Sequence, residues 1–290
     1  MKIKFMEIRV LGSESFGARS LACFVKTGRQ RVLIDPGVAL ARLRSGRPPH
    51  PLEIAAAFRI KARILSLFGA ATDVVISHYH GDHIPMPVAD PYQLSTRELP
   101  ELEKNVRFWG KGPEKISGLS LRRRNELARC LGRVPFPASE GEEFGALAFS
   151  APVPHGAGNT GFGTVMMTLV REGKERFVHA SDIQLLDRET VLTVLEWNPT
   201  IVLASGPPLY IAHKVPGVGK IARENAKLLA ENVDTLVLDH HLLRSFSGYA
   251  WLKDLARESE SNVLCAAAFM GKKPELLEAG RESLYNPDSA

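Results

Sequence analysis

Val74-Val75-Ile76-Ser77-His78-Tyr79-His80-Gly81-Asp82-His83 sets the fold and the chemistry expected of this 290-residue chain. The β-branched run predicts a strand ending near Ser77. Three histidines and an aspartate then fall within six residues, a density that packing does not explain. Imidazole and carboxylate are the donors taken by zinc and its transition-metal neighbours. Gly81 lets a short loop turn sharply, so that successive side chains can aim at one point. The segment predicts a metal-binding loop at a strand end.

The chain around it predicts an α/β protein. Strand-like runs are expected at 3–11, 21–26, 31–34, 74–77, 144–151, 163–171, 175–180, 200–204, 234–239 and 262–269. Helical periodicity covers about 52–68, 116–131, 187–197, 219–231, 248–258 and 274–284. Residues 28–30 and 172–174 are expected to be hairpin turns. Segment 36–51, with Pro36, Pro48, Pro49 and Pro51, is expected to be an irregular loop. Strands come early and strand–helix alternation follows, which suits two packed sheets with helices outside. No repeat or low-complexity linker interrupts the chain, so residues 1–290 are expected to form a single domain.

Composition bounds the function. Hydrophobic residues at 44% and charged residues at 24% exclude a disordered or fibrous chain. Cys23, Cys130 and Cys265 are odd in number and far apart, which argues against a disulfide framework and for the cytoplasm. The longest apolar run, 263–270, falls far short of the roughly 20 residues of a spanning helix. The alternating N-terminus predicts a strand and no signal peptide, so no membrane partner is expected.

Charge is uneven. Residues 1–150 carry 23 Lys and Arg against 15 Asp and Glu, whereas residues 151–290 carry 14 against 17. The excess peaks in 104–133, with nine basic residues against two acidic ones, including Arg122, Arg123, Arg124, Arg129 and Arg133. Such a field favours an anionic small molecule or nucleic acid as partner, although a charge run is also the mark of a solvated helix face.

More His and Asp residues stand at predicted strand ends. His155 follows Ala151-Pro152-Val153-Pro154, Asp182 ends His179-Ala180-Ser181-Asp182, and His240 lies in Leu238-Asp239-His240-His241. Upstream, Asp35 lies in Leu33-Ile34-Asp35-Pro36-Gly37. With these, the chain resembles the metallo-β-lactamase superfamily over nearly its whole length, and within it the uncharacterised archaeal metal-dependent hydrolases. The resemblance implies a four-layer αββα sandwich and two divalent metal ions, zinc first, with manganese or iron as alternatives. It implies that His78, His80 and His155 hold one ion, that Asp82, His83 and His240 hold the other, and that Asp182 bridges both. Asp35 would orient the ligands from behind. His240 is favoured over its neighbour as last ligand, which leaves His241 to face substrate or donate a proton.

The implied chemistry is hydrolysis. Two cations roughly 3.5–4 Å apart can share a hydroxide and lower its pKa towards neutrality. Asp82, Asp182 and His241 are therefore the candidate catalytic residues. Asp182 stands where common β-lactamases of this fold carry cysteine, which argues against antibiotic hydrolysis. His80 replaces the glutamate of the flavodiiron members. Only 57 residues separate Asp182 from His240, too few for the cap domain of the RNA-processing members. An ester-type substrate remains, with a phosphodiester or other anion favoured. A nuclease, a small ester, thioester or lactone hydrolase, and a metal-stabilised binding protein are the alternatives.

Other residues carry weaker signals. His179 is expected to be a buried structural histidine, and His50 part of a loop. His213 and Lys214 could reach the mouth of the site. The glycines of loop 156–163 permit close backbone approach to an anion, or simply a turn. Arg244, four residues past His240, is a candidate anion contact. Trp109, Trp197 and Trp251 are scattered and form no stacking ladder.

Overall fold

The computed structural model describes residues 6–101, 105–158, 163–214 and 217–286, without the side chains of 213 and 214. Residues 3–5 of the expected first strand, Lys104 and residues 159–162 of the glycine loop lie outside the described residues, as do the His213 and Lys214 side chains.

The first sheet is built from β1 (Glu7–Val10), β2 (Cys23–Lys26) and β3 (Arg31–Ile34), an antiparallel meander. Helix α1 (Pro51–Phe68) then returns the chain to β4 (Asp73–Ile76), parallel to β3, and β5 (Arg107–Gly110) extends the sheet in parallel. Such parallel pairs require a crossover, and α1 provides the first. Helix α2 (Gly118–Cys130) leads to the second sheet.

That sheet takes β6 (Glu143–Phe144) and β7 (Leu147–Phe149) at one edge. The short strand β8 (Val153–Pro154) pairs apart with β9 (Thr164–Val165). Next come β10 (Thr168–Glu172) and β11 (Glu175–Ser181), antiparallel across a tight hairpin. Helices α3 (Arg188–Glu196), α4 (Val218–Ala230) and α5 (Phe246–Glu258) then alternate with β12 (Ile201–Ala204), β13 (Thr235–Leu238) and β14 (Asn262–Leu264). β11 through β14 run parallel, and the order across the sheet is β14-β13-β12-β11-β10-β7-β6. Short helices α6 (Ala266–Phe269) and α7 (Arg281–Tyr285) follow.

The inner strands β4, β12 and β13 are apolar along most of their length, as strands covered on both faces tend to be. Val74, Val75, Ile76, Val202, Leu203, Leu236, Val237 and Leu238 are all buried and belong to one contiguous core shared by both sheets. The sheets also bond to each other: Met166 N donates to Ser77 O at 2.9 Å, and His179 Nε2 lies 2.9 Å from Leu21 O. This is the αββα sandwich that the sequence predicts, in the metallo-β-lactamase arrangement.

Local structure departs from expectation in several places: the expected strand 144–151 is split into β6 and β7, 163–171 into β9 and β10 of different sheets, and β8 is an addition. β5 was not foreseen, because Arg107 and the Gly110-Lys111-Gly112 end hide a three-residue apolar signal; its Trp109 and Arg107 are fixed by the buried Asp73 carboxylate. The expected strand 262–269 stops at Leu264, and its alanine-rich second half turns into α6. The expected helix 274–284 is helical only from Arg281. Tertiary bonds hold the earlier part in a β-bridge and a turn instead: Glu275 N donates to Ser15 O, and Arg19 grips Glu278 at 2.6 Å. His50 is more than a loop residue. Its Nδ1 accepts from Leu52 N while Glu53 accepts from His50 N, a capping box that starts α1.

Candidate metal centre

Every predicted donor lies just beyond the carboxyl end of a strand. Asp35 follows β3, His78 to His83 follow β4, His155 follows β8, Asp182 follows β11 and His240 follows β13. Carboxyl ends are where α/β sheets place their ligand crevices. Asp35, Ser181 and His240 adopt left-handed backbone, at φ 48°, 55° and 34°. Non-glycine residues are held there at a cost of order 1–3 kcal/mol each, typically at functional sites. Gly37 is required sterically, because a Cβ there would lie 2.3 Å from Ile84 N and 2.6 Å from His83 N. The Asp35 turn and the histidine loop therefore touch backbone to backbone.

Asp182 is the hub. Its Oδ2 lies 3.0 Å from His241 Nε2, 3.2 Å from His155 Nε2, 3.4 Å from His83 Nε2 and 3.6 Å from His78 Nε2. Its Oδ1 lies 3.9 Å from His240 Nε2. Two donor sets meet here: His78, His80, His155 and Asp182 in one, Asp82, His83 and His240 in the other, each with its donor atoms within 4.8 Å of one another. In the second set, His240 Nε2 is 3.4 Å from both His83 Nε2 and Asp82 Oδ2. Metal bonds of about 2.0–2.1 Å in a tetrahedron put neighbouring donors roughly 3.4 Å apart. His241 also groups with Asp182 and His240.

The residues behind the donors fix their orientation. Ser77 Oγ donates to Asp35 Oδ2 at 2.6 Å. Having given its proton there, it can only accept from His78 Nδ1, 2.9 Å away. His78 Nε2 is thereby left with its lone pair facing Asp182, buried and without a hydrogen-bond partner among the described residues, as is Asp182 Oδ1. Asp35 also accepts from His83 Nδ1 at 2.9 Å and from Ser77 N at 2.8 Å. One carboxylate thus orients a histidine of each set. Orphaned lone pairs behind oriented rings are what a divalent ion would satisfy, and the donor set fits one.

Protonation suits metal binding at these donors except His83, whose raised pKa favours the charged form that cannot ligate. Burial, with His83 and His80 adjacent, holds the His78 imidazole well below the usual histidine range. Burial and His155 push His80 down to about 4. Burial and the Arg244 charge lower His240 and His241. Burial opposes ionisation of Asp182, yet the surrounding imidazoles hold it well below the carboxylate range, and His240 and His83 do the same for Asp82. Burial also works against a charged His83, but Asp182 and Asp35 keep its pKa well above the ordinary value. Neutral imidazoles and ionised carboxylates are the forms that bind metal.

Three residues here carried no sequence signal of their own. Ser77 and Ser181 bond to each other at 2.7 Å and join the two sheets beside Asp35. Asp239 accepts from Ser15 N at 2.9 Å, from His240 N at 2.8 Å and from Ala266 N at 2.8 Å, and so fixes the turn that presents His240 and His241. Each directly precedes a predicted donor, which is the clue a sequence could have offered. His179 is buried against the Leu21 carbonyl, away from the donors, as expected.

The basic segment does not form one surface. Arg124 is buried, bonded to the Lys111 and Phe136 carbonyls. Lys111 is buried and pairs with Glu140 at 2.7 Å. Arg122 points to solvent and pairs with Glu126. Arg123 alone of the triplet reaches the histidine loop, where Nη1 donates to Tyr79 O at 3.2 Å.

No helix among the described residues is long and apolar enough to cross a membrane. No family model matches the chain. Two archaeal proteins do. The chain is 62% identical over 280 residues to a UPF0282 protein of Methanosarcina mazei, spanning 97% of this chain and 92% of that one. It is 37% identical over 289 residues to a UPF0282 protein of Pyrococcus horikoshii, spanning 97% and 93%. Among solved structures, a metal-dependent hydrolase of the β-lactamase superfamily superposes with a TM-score of 0.52 at 16% identity, over 90% of this chain and 96% of its own. A variant of the CmlA β-hydroxylase superposes with a TM-score of 0.51 at 13% identity, over 91% of this chain and 52% of its own. At such identities these two establish the shared metallo-β-lactamase fold. Similarity to the archaeal proteins spans 97% of this chain, and the chain belongs to the UPF0282 family.

Proposed function

We propose that the chain is a dinuclear metal-dependent hydrolase acting on an anionic, ester-type substrate, a phosphodiester first. His78, His80, His155 and Asp182 would hold one ion, and Asp82, His83, His240 and the shared Asp182 the other, with zinc favoured over manganese or iron. The observation that carries this is the Asp182 carboxylate with five imidazoles around it at 3.0–3.9 Å. Two bound divalent ions would supply an activated water and positive charge against a developing oxyanion. A structural zinc site would use four donors and close; here the donors exceed four, and His80, Asp82 and His241 are partly open to solvent.

The chain's own residues supply the rest. Asp35 fixes the tautomers of His78 and His83. His241 donates Nε2–H to the Asp182 carboxylate, and its Nδ1, without a partner among the described residues, keeps a lone pair that would accept a proton during the reaction. Arg123, at the rim beside the histidine loop, is the basic residue placed to meet an anion.

The first test is elemental analysis of protein purified without added metal. About two ions per chain, lost in His80→Ala, are expected; one or none, indifferent to the substitution, would sink the dinuclear reading and leave a metal-stabilised binding protein. Turnover of a phosphodiester, a carboxylic ester, a thioester and a lactone then assigns the substrate class. Asp35→Asn is expected to cost 10–100-fold in metal affinity by competitive titration, the usual price of losing a partner behind a ligand. Unchanged affinity would remove Asp35 from the site. Arg123→Ala is expected to raise KM for a phosphodiester about tenfold or more, the worth of a charge-assisted hydrogen bond, and to leave a neutral ester unaffected. An equal effect on both would make Arg123 a loop support and no anion contact.

A further inference from the structure

We infer that Arg244 is a built-in cation of the second donor set, so that this set binds a divalent ion more weakly than the first and fills after it. The inference rests on the dinuclear reading and concerns the order of loading. Arg244 ends the turn Leu242–Arg244 that follows His240 and His241, and its side chain is buried. Its Nη2 lies 2.9 Å from His240 Nε2 and 3.3 Å from Asp82 Oδ2. Both atoms are donors of the second set. A guanidinium keeps its charge at every accessible pH and has no lone pair to offer a metal. While it bonds His240, it takes the lone pair that an ion would need, and it neutralises Asp82. An ion entering this set must displace it.

The first set has no such competitor. Among the described residues His78 Nε2 has no hydrogen-bond partner, and no Lys or Arg pairs with Asp182.

The structure also contains the place to which the guanidinium would withdraw. Glu14 is 1% exposed, and both of its carboxylate oxygens lack a hydrogen bond among the described residues. Arg244 Nε is likewise buried without a hydrogen bond, and it lies 3.5 Å from Glu14 Oε2. An orphaned guanidinium N–H donor and an orphaned carboxyl acceptor sit just beyond bonding geometry, so a small swing away from His240 completes their bond. The backbone does not need to move: Arg44 Nη2 donates to the Arg244 carbonyl at 2.7 Å and holds it. Arg244 thus has two positions, one on the donors and one on Glu14, and the second set opens only in the latter.

The two side chains then act in opposite directions on one measurable ratio. Metal-stripped full-length chain is titrated with zinc against a chromophoric chelator. Wild-type protein is expected to take a first equivalent at least about tenfold more tightly than the second, as one or two charge-assisted hydrogen bonds must be broken for the second. Arg244→Met should narrow the gap to within about threefold by strengthening the second equivalent. Glu14→Gln, which removes the alternative partner, should widen it. Two indistinguishable equivalents in the wild type overturn the inference, and so does an Arg244→Met ratio that does not move. The wild-type ratio and Glu14→Gln decide the matter if Arg244→Met does not fold. A wild-type chain that takes up no zinc overturns the dinuclear reading itself, and this inference with it. Two equal equivalents would leave that reading intact.

Discussion

Asp182→Ala protein is expected to retain less than one metal ion per chain and to lose at least about a thousandfold in turnover, the scale of several kcal/mol of charge stabilisation. Asp35 also touches a histidine of each donor set, but from behind the rings, whereas the Asp182 carboxylate lies between them. Without Asp182, five imidazoles face one another around a gap, and of the donor carboxylates only Asp82 remains. Thermal unfolding gives an independent readout. A site saturated a hundredfold above its Kd adds about 2.7 kcal/mol to stability. Added zinc or manganese should therefore raise the Tm of wild-type protein and leave the Asp182→Ala protein nearly unmoved. A variant that keeps two ions, or gains the same Tm on adding metal, would show that Asp182 does not bridge.

The second large effect is on stability, far from the metal centre. Arg281 is fully buried and clasps Glu53, with Nε to Oε2 at 2.8 Å and Nη2 to Oε1 at 2.7 Å. Its Nη1 also donates to the Ala41 carbonyl at 2.9 Å and the Arg47 carbonyl at 3.1 Å. One guanidinium thus ties α7, the start of α1 and the proline-rich loop between β3 and α1. Arg281→Met leaves the Glu53 charge buried without its partner, and breaking such a pair on one side typically costs about 3–5 kcal/mol. Chemical denaturation should show that loss. The double variant with Glu53→Gln should lose less than the two single variants added together, because the surviving charge is gone. A loss under about 1 kcal/mol in Arg281→Met would mean that water reaches Glu53 and the clasp is not needed.

The fold and the donors were legible for the same reason. Val74, Val75 and Ile76 of β4 are an apolar run because both faces of the strand are covered, and the polar residues that follow have no packing role to disguise them. Asp35, His155, Asp182 and His240 repeat that grammar, apolar strand and then donor. What stayed hidden was decided by tertiary contact. The triplet Arg122, Arg123 and Arg124 reads as one charge run, yet α2 turns each residue to a different environment: solvent, the histidine loop and the interior. Segment 274–280 has helical periodicity but is held out of a helix, as a β-bridge and a turn, by Ser15 and Arg19, which lie more than 250 residues earlier in the chain. Glu14 and Arg244 are far apart in sequence and gain meaning only once the fold places them 3.5 Å apart.

The donors are drawn from both sheets, from Asp35 in the first to His240 in the second, and Asp239 is fixed only when Ser15 and Ala266 reach it. Pairings so distant in sequence form late, after the long loops between them have been closed. During synthesis, domains take shape as the chain emerges from its N-terminal end. The histidine loop would be exposed well before Asp182, His240 and the α6 turn had been made. For that interval the nascent protein would hold three clustered imidazoles without the carboxylate that unites them. A metal ion held at this site would therefore be captured at the end of biogenesis, after the C-terminal third has docked.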